Sequence, residues 1–326
     1  MASVPTQNAS KLVYQTGFQK FCSTFAKNWQ LHLMILTPLA YMIIFHYIPM
    51  YGIQIGFRDY RPAGGVAGIW NAEWVGLGKY DQFFSYYRWK ELIWNTLALS
   101  LYAILAGFPI PVILALVIHV NTYKGLKKLA QNVSYIPHFI SVVILVGILQ
   151  SVLNPVSGML GAISQLTGSG YMSDIRGSKS AFRHLYVWSG IWQSMGWSTI
   201  IYVSALSAVS EELHEAAKLD GASRIRRVWS VDLPAIMPTV AIMLIMRFGS
   251  VMSVGYQKAW LMQNTMNIEV SEIISTYVYK KGLGPSGTDM SYSTAVGLMN
   301  SVVNTAMVVI VNWITNVLTD NEMGLF

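Results

Sequence analysis

Five long stretches of this 326-residue chain, 30–57, 92–123, 129–173, 184–210 and 290–319, contain no Asp, Glu, Lys or Arg. A sixth, 233–257, is interrupted once, by Arg247. A helix needs about 20 mostly apolar residues to cross about 30 Å of hydrocarbon, and each stretch is long enough. Buried core helices of a large soluble protein are the alternative, but they rarely run so far without a charge. The overall balance agrees: only 11% of residues are charged, against roughly 25% in soluble domains. The expected fold is all-α and polytopic, with six transmembrane helices over about 31–52, 93–119, 134–153, 185–208, 236–256 and 292–317.

The remaining segments divide the chain. Residues 1–30 hold Tyr14, Phe18, Phe21, Phe25 and Trp29 at helical spacing, with Lys11, Lys20 and Lys27 available to lipid phosphates. They read as an amphipathic interfacial segment, or else as a mobile basic tail. They are too polar for the apolar region of a signal peptide. Residues 31–90 hold the first span and a loop, 91–318 the core, and 319–326 a tail. Pro109 and Pro111 fall inside the second span and predict a kink, which either borders a cavity or serves packing.

The net charge of +7 suits an anionic lipid surface and does not require nucleic acid. Cys22 is the only cysteine, and His46 and His119 are isolated in sequence, so no metal set is expected. Asn300 and Asn304 lie one turn apart in the last span, where interhelical hydrogen bonds are expected. Lys and Arg are split almost evenly between alternate loops, so counting positive charges does not orient the chain.

Between the fourth and fifth spans, 209–235 reads as a short helix, a turn and a return to the membrane. Ser210 can cap the helix start, with Glu211 and Glu212 favourable at its positive end. Leu213, Ala216, Ala217 and Asp220 fall on one side, and the two alanines allow close approach of another surface. Gly221 offers a positive-φ position at the helix end, and Pro234 marks entry to the next span. A plain interfacial helix would also carry this pattern.

Glu215-Ala216-Ala217, Asp220-Gly221-Ala222 and Leu233-Pro234 resemble the loop of binding-protein-dependent ABC importer permeases, the type I (MetI-like) fold. The stretches 43–52, 75–77, Asn95-Thr96-Leu97, 191–197 and 274–283 resemble carbohydrate-uptake permeases, in particular the oligosaccharide subgroup, and within it the permease of an alginate importer. The resemblance implies that 215–220 is a coupling helix docking on an ATP-binding subunit. It also implies two such subunits binding ATP and magnesium, a second permease chain, an extracytoplasmic solute-binding protein, and a bacterial inner-membrane location with both termini cytoplasmic. No phosphate-binding loop of the Gly-x-x-x-x-Gly-Lys-Ser/Thr type is present, so this chain is expected to be a transport subunit, not an enzyme, with no cofactor of its own.

Arg247 lies thirteen residues past Pro234, roughly 20 Å along a helix at 1.5 Å per residue. Trp192, Gln193 and Trp197 occupy a comparable depth on the adjoining span. A charge at such depth costs at least about 2.5–3.5 kcal/mol and should face a cavity or a partner. These four residues are expected to line the substrate path, with Arg247 favouring an acidic sugar; pairing with a partner helix is the alternative. A rival class, an ion-coupled secondary transporter, would place acids at the midplane or show inverted repeats. No Asp or Glu lies within the six spans, and no convincing repeat is seen. A membrane enzyme would need clustered His, Asp or Cys at catalytic spacing, which the sequence lacks.

Overall fold

The computed structural model describes residues 27–167, 174–284, 289–319 and 324–325. Most of the expected interfacial segment, 1–26, lies outside them. The described residues are helical apart from loops and one isolated antiparallel bridge, Arg58 to Trp74.

The chain divides into two units, 1–54 and 55–326. In the first, α1 (Trp29–Met42) is apolar around its whole circumference and leads into a wide π turn, Ile43–Tyr47.

The second unit begins its core with α2 (Trp89–Gly107) and α3 (Pro109–Val120), which abut at Phe108 as one span. The proline pair causes this break, because neither Pro109 nor Pro111 can donate to the α2 ladder. Next, α4 (Lys124–Tyr135) and α5 (Val142–Val152) replace the expected straight helix over 134–153. The two arms, Lys124–Phe139 and Val142–Val152, meet at 96°. Pro137 ends the first arm in a 3₁₀ turn, and Ser141 Oγ caps the second by accepting from Ile144 N at 3.3 Å.

The expected fourth span is the middle of a 29-residue helix, α6 (Lys179–Ser207), capped by Ser178. A short helix, α7 (Glu211–Leu219), follows. The fifth span, expected over 236–256, both starts and ends earlier. An unbroken helix runs Arg224–Phe248, passing through a π turn, Val228–Asp232, into α8 (Leu233–Phe248). Then come α9 (Tyr256–Met262), α10 (Ile274–Gly282) and the last span, α11 (Met290–Leu318). Among the described residues, four helices are long and apolar enough to cross a membrane, five if the bent pair counts as one. Helix α6 has the length but a more polar face, so six spans are not all apparent from apolarity.

Three apolar clusters hold the second unit together. Leu92, Ile104, Tyr277 and Val296 join α2, α10 and α11. Leu99, Phe182, Val187, Ile191 and Ile273 join α2 to α6, and Val112, Ala115, Tyr202, Leu206 and Ile236 join α3, α6 and α8. Small residues set the closest approaches: a β-carbon on Gly107 would meet Ile191 Cγ1 at 3.2 Å. Outward faces stay apolar, with Leu105, Val117 and Val302 each more than 60% exposed, as lipid solvation requires.

Candidate functional site

Where α2 and α3 break, they leave a cavity of about 210 Å³ against α6 and the end of α8. Gly107 and Pro111 line it, so the proline kink borders a cavity here. Hydroxyls dominate its polar lining: Ser100, Ser194, Ser198, Ser250 and Ser253. Some are already engaged. Ser194 Oγ donates to Gly190 O at 2.8 Å, and Ser253 Oγ accepts from Asn304 Nδ2 at 2.8 Å. Asn304 Oδ1 also accepts from Met252 N at 2.8 Å, fastening α11 to the turn after α8. Asn300, one turn earlier, faces a second cavity beside α10, and its buried Oδ1 has no partner among the described residues.

Arg247 lines the first cavity, and its guanidinium makes no hydrogen bond or ion pair among the described residues. The other three expected path residues are absent from this lining. They lie off this side of the bundle, because α6 presents 186, 187, 190, 191, 194, 195 and 198 to the cavity. Gln193 Nε2 instead donates to Ile140 O at 2.6 Å, closing the α4–α5 elbow. Trp197 stacks on His138 with ring centroids 4.5 Å apart, and Trp192 is exposed.

A second cation stands behind the cavity wall, one that the sequence did not single out. Lys258 Nζ is buried against Gly190, where a β-carbon would meet it at 3.1 Å. It donates to Tyr186 O at 2.7 Å and lies 4.8 Å from the Tyr186 ring centroid. No carboxylate pairs with it among the described residues, and burial pulls its pKa down to about 8. Its sequence signal is slight: a lysine one residue past the 233–257 apolar run.

At the N-terminal end of α6, two stretches that resemble carbohydrate permeases meet each other. Asn95 Nδ2 donates to the carbonyls of Glu269 at 2.8 Å and Glu272 at 3.1 Å, while its Oδ1 accepts from Arg183 at 3.0 Å. Thr96 Oγ1 accepts from Ile274 N at 3.0 Å, and buried Glu272 pairs with Arg88 at 2.9 Å and Lys280 at 2.8 Å.

The opposite end of α6 leads to the 209–235 loop, whose local structure follows the sequence closely. Ser210 Oγ accepts from Glu212 N at 3.2 Å. Gly221 has φ +76°, and Ala222 N to Ala217 O (2.9 Å) with Gly221 N to Lys218 O (3.0 Å) completes a Schellman motif. Glu215, Ala216, Asp220 and Pro234 are exposed, Ala217 and Leu233 half-buried. Leu213 and Leu219 are 54% and 90% exposed.

Under this loop, His119 is not isolated. Asp232 Oδ1, on a residue 2% exposed, lies 3.1 Å from His214 Nε2 and 3.7 Å from His119 Nε2.

A family model described as "Binding-protein-dependent transport system inner membrane component" matches residues 93–319. The chain belongs to that family. Among curated relatives, the permease is 37% identical to Protein LplB of Bacillus subtilis over the full length of both chains. It is 39% identical to the polygalacturonan/rhamnogalacturonan transport system permease protein YteP of the same organism, over 86% of each. Among solved structures it superposes on a chain of a bacterial alginate ABC transporter, in complex with an alginate pentasaccharide-bound periplasmic protein, with a TM-score of 0.81 at 31% identity. That match covers 93% of the permease and 99% of the other chain. The permease is thus the membrane subunit of a carbohydrate ABC importer, and its helical fold is that of the alginate transporter subunit.

Proposed function

We propose that this permease passes carboxylate-bearing oligosaccharides, with Arg247 meeting the acidic groups in transit. The carrying observation is an unpaired guanidinium in a small cavity lined by hydroxyls. Hydroxyls exchange hydrogen bonds with sugar hydroxyls, and a guanidinium forks onto a carboxylate. The substrates named for YteP, polygalacturonan and rhamnogalacturonan, and for the structural neighbour, the acidic polysaccharide alginate, support the same charge class.

In this reading α7 docks on an ATP-binding subunit through 215–220, on the side that carries Leu213, Ala216 and Ala217, with Gly221 ending the helix cleanly. ATP and magnesium belong to that subunit, and its closure moves α6 and α8, which flank the loop. A second permease chain, a second ATPase and an extracytoplasmic binding protein complete the importer. Both termini and the 209–235 loop face the cytoplasm, across the inner membrane.

Uptake by the reconstituted importer tests the assignment, using Arg247→Ala and Arg247→Lys with an oligouronate and a neutral oligosaccharide. The alanine variant is expected to lose at least tenfold of oligouronate uptake, the lysine variant less, and neutral sugar uptake is expected to change little. Unchanged oligouronate transport by Arg247→Ala would overturn it.

A further inference from the structure

The His119, His214 and Asp232 side chains come from three separate elements: the end of α3, the middle of α7 and the π turn before α8. Their ligand atoms all lie within 4.8 Å of one another. Neither Asp232 Oδ1 nor His214 Nε2 has a hydrogen-bond partner among the described residues, although both atoms are buried. At 3.1 Å the two are close enough to bond, but they do not meet in hydrogen-bonding geometry. A carboxylate oxygen buried without a donor, on a residue 2% exposed, is costly, and a cation at this position would offset that cost.

We propose that these three side chains bind a divalent transition-metal ion of the zinc type. Tetrahedral coordination at about 2.0–2.1 Å puts ligand atoms about 3.4 Å apart. The two measured separations, 3.1 and 3.7 Å, bracket that value. Two imidazole nitrogens and one carboxylate oxygen suit zinc and its neighbours and are too few and too nitrogen-rich for calcium or magnesium. A recess of about 640 Å³ opens beside the cluster and admits water to the fourth position. Its other charges nearly cancel: Arg224, Arg227 and Lys218 face Glu211 and Glu215.

Such an ion would tie α7 to the ends of two core helices and limit how far the loop swings. That consequence rests on the docking role proposed for α7; binding itself does not. The test uses the whole importer, purified on an affinity tag free of histidine and stripped with chelator. Addition of Co²⁺ is expected to give a visible absorption spectrum of a tetrahedral nitrogen and oxygen site, abolished by Zn²⁺. Zn²⁺ is expected to bind with at least tenfold higher affinity to wild type than to His119→Gln or His214→Gln, and to raise the wild-type melting temperature. Asp232→Asn is expected to behave likewise. His46→Gln is expected to bind as wild type. Equal Zn²⁺ binding by the His119, His214 and Asp232 variants would overturn the proposal. So would a wild-type complex that shows neither a cobalt spectrum nor a zinc-dependent melting shift, a result independent of how any variant folds. An importer that binds the ion yet handles neutral and acidic sugars alike would sink the substrate assignment alone.

Discussion

Gly196 on α6 packs so closely against Ser134 on α4 that a β-carbon there would stand 2.0 Å from the Ser134 carbonyl oxygen. The obstacle is backbone and cannot rotate away. Gly196→Ala should therefore force the α4–α6 contact apart, at about 1–3 kcal/mol as for overpacked cores. Gly147→Ala on α5, where nothing lies within 4 Å, should be neutral or better. Melting temperature and the yield of monodisperse complex compare the two; an intact Gly196→Ala complex would refute the contact.

Glu272 is 6% exposed and holds Arg88 and Lys280. Glu272→Gln leaves two cations facing a neutral amide, and breaking a buried pair costs about 3–5 kcal/mol. The exposed pair of Lys179 with Glu269 is a contrast, since Glu269→Gln should shift the melting temperature little. Thermal unfolding in one detergent separates the cases, and equal shifts would contradict the assignment.

Gly221 has a positive φ but open space where a β-carbon would go, so substitution meets strain without a clash. Gly221→Ala should cost about 1–2 kcal/mol locally, Gly221→Asn less, and Gly221→Val most. Substrate-stimulated ATPase activity of the assembled importer should fall in the order Asn, Ala, Val. A valine variant as active as wild type would mean that the helix end is not held in this geometry.

Lys258 supplies a pH dependence. Its pKa falls from 10.5 in an unfolded chain to about 8 in the folded one. Below pH 8 both states hold the proton, and the fold bears the full cost of a buried charge. Between pH 8 and 10.5 the folded protein releases the proton first, so this residue's effect on stability improves as pH rises and is lost again as pH falls through 8. The melting temperature of wild type relative to Lys258→Met should climb across that window. A flat difference would show that the amine is not desolvated.

Much of this was legible in the chain. Apolar runs located four long helices and the bent pair among the described residues, because lipid demands length and apolarity of each one independently. The cap at Ser210 and the Gly221 terminus were legible for a similar reason: both depend on residues a few positions apart. Side-chain grouping was not. Counting along the spans puts residues 192, 193 and 197 at Arg247's depth, yet such a count says nothing about which side of a helix faces inward. The 96° elbow at 140–141 escaped because an apolar run reads the same straight or bent. His119 looked isolated because its companions lie about a hundred residues away, at His214 and Asp232, joined only by the packing of α3 against the loop.

The π turn at Val228–Asp232 carries an arithmetic consequence. Each residue of an α-helix advances the chain by about 100° of rotation, and a wide turn accommodates one residue more than an α turn would. The angular setting of Arg247 relative to the 209–227 segment is therefore indexed by a single surplus residue. A chain of the same length, wound here as plain α-helix, would keep its apolar span and its loop motif intact. It would nonetheless aim Arg247 about 100° away from the hydroxyl-lined cavity. The winding of this segment is thus constrained by rotation, a requirement that hydrophobicity alone would never enforce.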